Sequence, residues 1–376
     1  MRTHTKSLLR APYAIALRLA QADIVFWLLP ALMVLLVAGT LAQVPMGFYA
    51  AHKMFFASFI IWAGPVPLPG GYLMTGALTI CLLLKFVLQS RWSLQKSGII
   101  LTHLGVLVLL GGGLLTALSA KEGYMALTHG AVSPYIYDYN RRELVLYTAD
   151  NHVRSRGFDN IRAGENLSFK NIPFTLRVLD ACKNCTIARR GESTQGADLP
   201  LRGMARFMEL TAKPPEKEPE LNFSGLTFAI DHAGGDQDGL YIAFEAMPRP
   251  IELTVKDKTY RLIFGKQQRA LPFAVRLENF TKDLYPGTAM ARGYSSDITV
   301  IDGALEWPAR IEMNTPLRYK GYTLYQSSFE ETEDGAVSIL TVTRNSGRLF
   351  PYLGTALLAL GLLLHIGLTL AGRRTV

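Results

Sequence analysis

Four stretches of this 376-residue chain are long and apolar enough to cross a bilayer, and their uneven placement decides the architecture. Ile24 to Gln43, Tyr72 to Leu88, Gly98 to Leu118 and about Leu349 to Ala371 each approach the ~20 residues that span ~30 Å of hydrocarbon. The segment from about 119 to 348 is far more polar. A 49% hydrophobic chain would ordinarily suggest large soluble domains, but here the apolar residues are clustered. The clustering predicts a membrane segment over 1–118, with spans about 24–43, 72–88 and 98–118 and an interfacial loop over 45–71. A soluble domain over 119–348 follows, then a last helix and short tail over 349–376. A cleaved signal peptide is the weaker reading of the first cluster. Basic residues precede it and Ala38, Gly39 and Ala42 follow its centre, but it is long for such a segment and three more spans come after it.

Arg2, Lys6, Arg10 and Arg18 precede the first span, Lys85, Arg91 and Lys96 flank the turn between the second and third, and Arg373 and Arg374 close the chain. Positive residues stay in the cytoplasm, so both termini and the 89–97 turn are expected there. Four crossings then leave the 45–71 loop and the large domain on the exterior, periplasmic face of a bacterial cytoplasmic (inner) membrane. These bases face one acid, Asp23, so almost all of the +9 net charge is orientation signal. The exterior part is nearly neutral, which argues against nucleic-acid binding.

Pro45 to Gly71 is too short and too broken by proline to cross; its Phe55, Phe56, Phe59 and Trp62 suit the interfacial zone. The exterior domain reads as β. Short alternating runs such as FTLRVLD, LTFAI, LYIAFEAM, FAVRLENF, DITVID, GYTLYQSSF and AVSILTVTR are divided by turn residues, including Tyr285-Pro286-Gly287 and Asp302-Gly303. That spacing predicts an antiparallel sandwich or barrel-like domain. The chain lacks a P-loop, a nucleotide-binding glycine motif after a strand and an HExxH metalloprotease motif, and no Ser/His/Asp triad stands out. Gly111 to Gly113, inside the third span, suggests tight helix packing.

His103 sits among Ile, Leu, Val and Gly in the third span, where an imidazole loses water unless a partner or a metal replaces it. It is therefore a ligand candidate. His365, in the last span, lies at an apparently matching depth, each ~8 to 9 Å from the cytoplasmic end at ~1.5 Å per residue. Against a ligand role, His365 has the options of a neighbouring carbonyl or the interface. His52 and His129 lie just outside the first and third spans on the exterior side, where either is a candidate cofactor ligand, although solvated loop histidines are the commoner case. Cys81 reads as a small buried hydrophobe. Cys182 and Cys185 form CKNC in an oxidising compartment, open to a structural disulfide, a thiol-exchange pair or, least, half of a zinc site.

Several segments resemble the ResB (CcsB) family of cytochrome c biogenesis proteins, partners of ResC or CcsA in the system II cytochrome c synthase. They are Gly39-Thr40 with Gln43, Pro67 to Gly71, Thr102 to Gly105, Phe273 to Gly287 and, most specific, Met313 to Phe329. The resemblance implies four transmembrane helices with a large exterior antiparallel β-rich domain between helices 3 and 4. It implies a subunit that, with a ResC/CcsA-type partner, carries haem b across the membrane and presents it, in transit or bound, to apocytochrome c for attachment at CXXCH. In that family the third-span histidine, here His103, is regarded as an axial iron ligand. With His365 it would form a bis-His pair if the helices pack with both faces inward. Lys85, Arg91 and Lys96 would meet the propionates. CKNC has no counterpart among these landmarks. Two other readings stay open: a noncatalytic scaffold or apocytochrome chaperone, and a thiol-redox membrane protein acting through Cys182 and Cys185.

Overall fold

The computed structural model describes residues 10–90, 92–148, 150, 152–191, 199–247, 249–288, 290–333 and 335–373. Arg2, Lys6, Arg91 and Arg374, all considered above, lie outside them. The chain divides into two units, Met1–Lys121 with Arg344–Val376, and Glu122–Thr343.

The first unit is helical: α1 (Arg10–Leu19), α2 (Ala22–Met46), α3 (Gly71–Leu84), α4 (Ser97–Ser119) and α5 (Phe350–Arg373). Four helical stretches, Ala22–Met46, Gly71–Gln89, Leu94–Ser119 and Phe350–Ala371, have the length and composition to cross a membrane. Large apolar side chains such as Trp27, Val44, Leu118 and Leu363 are exposed on them. Surface of that kind needs an apolar solvent or partner.

The loop between α2 and α3 has more structure than its proline content suggests. A helical turn, Phe48–Ala51, passes into a π-helical turn, His52–Phe56, and then into a hairpin of β1 (Ile60–Ala63) and β2 (Val66–Pro69). A Cβ at Gly39 would strike the Phe56 ring, and one at Gly71 the Phe56 backbone. These two glycines let the loop fold back onto the helices it connects.

The second unit is built of antiparallel strands. A four-stranded sheet has the order β11 (Gly239–Phe244), β10 (Gly225–Asp231), β7 (Thr175–Cys182), β6 (Asn166–Ser168). A second, ten-stranded among the described residues, is ordered β15 (Leu305–Glu312), β14 (Ala291–Asp302), β13 (Lys258–Leu284), β4 (Val132–Tyr147), β3 (Lys121–Leu127), β18 (Gly335–Arg344), β17 (Tyr322–Thr332), β16 (Leu317–Tyr319). To this, β12 (Ile251–Val255) and β5 (Val153–Gly157) add as partners of β13 and β4. A small hairpin joins β8 (Cys185–Arg189) and β9 (Met208–Ala212).

The 27-residue β13 runs through two cores. At its start Leu262 and Phe264, with Leu144 and Leu146 of β4, pack against Leu176, Val178, Leu226, Phe228 and Ile230 of the smaller sheet, a sandwich. At its end Val275 and Leu277 meet Met125, Ile298, Val300, Leu324, Leu340 and Val342, all from the large sheet folded on itself. The predicted antiparallel β-rich domain is thus present.

Met313 to Phe329 falls in the second core. Lys320 and Gly321, both at positive φ, turn the chain between paired Tyr319 and Tyr322. Tyr319 stacks edge-on against Phe273 and Trp307, at 5.2 and 4.8 Å between centroids, and its hydroxyl donates to Asp302 at 2.6 Å. Lys320 first, then Tyr319, hold the Asp302 carboxyl below its ordinary range. Tyr325 is exposed, while Phe329 packs against the rings of Phe280 and Tyr294.

Candidate functional site: a histidine beside a glycine seam

Within the helical unit, α4 and α5 form a tight antiparallel pair. A Cβ at Gly98 would run into the backbone of His365. At Gly361 it would lie 2.5 Å from the Thr102 nitrogen, at Gly105 2.7 Å from the Leu358 nitrogen, and at Gly354 2.6 Å from Leu109 Cγ. Gly112 faces Phe350 and Gly347 faces Thr116. The α4 contacts are therefore Gly98, Thr102, Gly105, Leu109, Gly112 and Thr116, the alternating four-and-three spacing of one helix face. Thr116 Oγ1 donates to Asn345 Oδ1 at 3.1 Å, and that oxygen also accepts from the Gly347 amide at 2.8 Å, fixing the entry to α5.

Of the GGG run only Gly112 lies in this seam. Gly111 and Gly113 face open space. The four-and-three spacing, rather than the run of three, was the packing signal in the sequence.

His103 is outside the seam. At 3.6 residues per turn it lies roughly 100° round the helix from Thr102 and 160° from Gly105, turned away from α5. Its ring is half-buried, and Nδ1 lies 2.8 Å from the Ile99 carbonyl oxygen one turn back. A carbonyl only accepts, so Nδ1 carries a proton, and in the neutral ring the lone pair is on Nε2. That is the tautomer of a metal-ligating imidazole whose orientation is fixed by its other nitrogen.

His365 lies on the seam beside Gly98, not beside His103. The helix register sets the two histidines five residues apart, about 7.5 Å of rise, and on different sides of the contact. The matching depths read from the sequence do not survive this register. The difference arises because α5 continues to Arg373 while α4 begins at Ser97. The two histidines therefore do not face each other across the α4–α5 contact.

His52 occupies the π-helical turn, exposed, between Phe48 and Phe56 at 6.0 and 6.1 Å. His129, in the other unit, is exposed in the turn between β3 and β4. It adds the least of the causes that lower the Glu278 carboxyl, behind hydrogen bonds from Thr299 and Arg276. The described residues contain no cluster of three or more His, Cys, Asp or Glu arranged for a metal.

Cys182 and Cys185 are joined by a disulfide across the turn from β7 to β8, and both are buried. So short a loop stabilises by about 2 kcal/mol in the chain-entropy account. Changing both to Ser is expected to cost no more than that in a denaturation series and to leave cytochrome c assembly intact. Loss of assembly with unchanged stability would favour the thiol-redox reading.

Residues 254–348, from β12 through β18 into the turn before α5, match the ResB-like family. That segment, about a quarter of the chain, is similar to the ResB-like family. Protein NrfI of Wolinella succinogenes is 37% identical to it over 118 residues, covering 30% of this chain and 13% of that much longer protein. The ResB-like segment contains the Met313 to Phe329 hairpin and the end of β13, and none of the histidines. It runs through strands of both cores and includes Phe273, Trp307, Tyr319 and Tyr322, which meet in the second.

Proposed function

We propose that this chain is a membrane subunit for cytochrome c biogenesis that receives haem inside the bilayer through His103 and, with a ResC/CcsA-type partner, delivers it to apocytochrome c for attachment at CXXCH. The single observation that carries the reading is the His103 ring itself, half-buried on an apolar helix, with Nδ1 engaged by its own helix and Nε2 left as a lone pair. The ResB-like match supplies the biological setting. Haem here is cargo, and the protein's part is to hold the iron at one axial position while the apolar helix excludes water. Because His103 faces away from α5, a ResC/CcsA-type partner would be the source of a second iron ligand. Lys85 and Lys96 border the same helix end and supply ammonium groups for the propionates.

The exposed apolar faces of the four long helices support insertion in a bacterial cytoplasmic membrane, with both termini inside and the β-rich unit outside. Truncated reporter fusions at residue 240 and at residue 376 test this. Activity of an exterior reporter at 240 and of a cytoplasmic reporter at 376 is expected, and cytoplasmic activity at 240 overturns the topology. For the haem reading, the test is whether the complex purified in detergent shows a Soret band that depends on His103.

A further inference from the structure

The β-rich unit carries a concavity of about 1000 Å³ that the haem reading leaves without a role. Its floor is the outward face of β4, β5 and β13. Odd-numbered residues of β4 point into it, Tyr135, Tyr137, Val145 and Tyr147 among them, while Leu144 and Leu146 point the other way into the sandwich core.

The groove is long. Tyr147 pairs with Arg261 and Tyr135 with Ala270, so β13 advances nine residues beneath it, about 30 Å at ~3.3 Å per residue. A compact ring ligand would fill half of that length. Lys266 lies midway.

The polar groups around it fall into two classes. Glu245 accepts from Arg142 Nε at 3.0 Å and from the Ser224 amide at 3.1 Å, and Glu143 accepts from the Gln268 amide at 3.1 Å, so both carboxylates are satisfied. Lys266 is half-buried and has no ion-pair partner among the described residues. Its ammonium stands 5.0 Å over the Tyr124 ring, and burial pushes its pKa down. The hydroxyls of Tyr124, Tyr135, Tyr137 and Tyr147 make no hydrogen bond to another described residue, and burial first, then Glu245, raises the Tyr124 phenol to about 12, keeping it a donor. A cation and four phenol donors therefore line the groove, beside carboxylates that already accept from Arg142, Ser224 and Gln268.

We propose that this groove docks an extended polypeptide segment of a partner protein, about eight or nine residues long, with apolar or aromatic side chains along it and a carboxylate near its middle that meets Lys266. The length fits a strand-like segment. Tyrosines supply large contact area at small entropic cost, as they do in antibody paratopes. An incoming carboxylate restores to Lys266 the compensation that burial removes.

Anisotropy of fluorescein-labelled nonapeptides on the full-length chain in phosphatidylcholine nanodiscs tests this, with empty nanodiscs as the blank. The probe Leu-Ser-Leu-Ser-Glu-Ser-Leu-Ser-Leu, whose leucines and central carboxylate share one face of an extended chain, is expected to bind roughly tenfold tighter than the same peptide with Lys at its centre, the effect of one charge-assisted hydrogen bond. Lys266→Gln is expected to shrink that ratio below about twofold, and Tyr137→Ser with Tyr147→Ser to weaken both peptides. His103→Ala should leave all of this unchanged, which separates the groove from the haem reading. Equal binding of the two peptides, or a ratio that survives Lys266→Gln, overturns the proposal. So does tight binding of pyrenebutyrate that the Glu peptide cannot displace, which would mark a small-molecule site instead.

Discussion

His103→Ala is expected to cut the haem that copurifies with the membrane complex by roughly tenfold or more, and cytochrome c assembly with it, because an axial ligand contributes at least as much as the outer-shell groups whose loss costs ~10- to 100-fold. Protein abundance should stay near normal. The ring's one hydrogen bond is to the carbonyl of Ile99 on its own helix, so its removal orphans no distant partner, and Ala is the better helix former. Imidazole added to the medium should restore part of the haem by filling the vacated position. His365→Ala serves as the internal comparison. Its place on the seam beside Gly98, about five residues of rise from His103, predicts little change in haem content. An equal loss in both variants would mean that α4 and α5 bind one iron between them after all. Full haem and full assembly in His103→Ala would remove the ligand assignment, and the scaffold reading would replace it.

Helix positions were legible from hydropathy alone because a 20-residue apolar run leaves the backbone few alternatives. Helix pairing was not. The seam needs a glycine every seven residues in both segments at once, each set against a bulkier residue of the other, and a single sequence shows the spacing without saying which helix completes it. The depth of His365 was misjudged for the same reason, since depth follows from register and not from distance to a terminus. In the β-rich unit the clean alternations were read correctly, whereas β4 was missed. There the Asp138 carboxylate accepts from the amides of Asn140 and Arg141, each at 3.0 Å, and the resulting turn interrupts the ladder between Tyr137 and Arg142. An interrupted ladder breaks the period of two that marks a strand. The groove floor lies on that same strand, so the feature that concealed β4 concealed the groove as well.

The same irregularity makes Arg142 the most sensitive residue of the β-rich unit. The Arg142 and Glu245 side chains are 6% and 7% exposed. The guanidinium donates through Nε to Glu245 at 3.0 Å, through Nη1 to the Asn140 carbonyl at 3.1 Å, and through Nη2 to the carbonyls of Pro219 and Asn222 at 3.0 and 2.7 Å. One side chain thus ties the turn in β4 to the segment before β10 and to the end of β11. Arg142→Met fills similar volume but leaves Glu245 as an uncompensated buried charge, and the expected loss is about 3–5 kcal/mol in the unfolding transition of the β-rich unit. Adding Glu245→Leu removes the stranded charge, so the double variant should recover a good part of that loss. Recovery will be incomplete, because the carbonyls of Pro219 and Asn222 still lack their donor. If Arg142→Met costs less than about 1 kcal/mol, water reaches the pair and the segment before β10 is held by its backbone contacts alone. The His103 site provides an independent readout: haem content per folded molecule should be the same in Arg142→Met as in the unaltered protein, since the pair lies wholly within the β-rich unit.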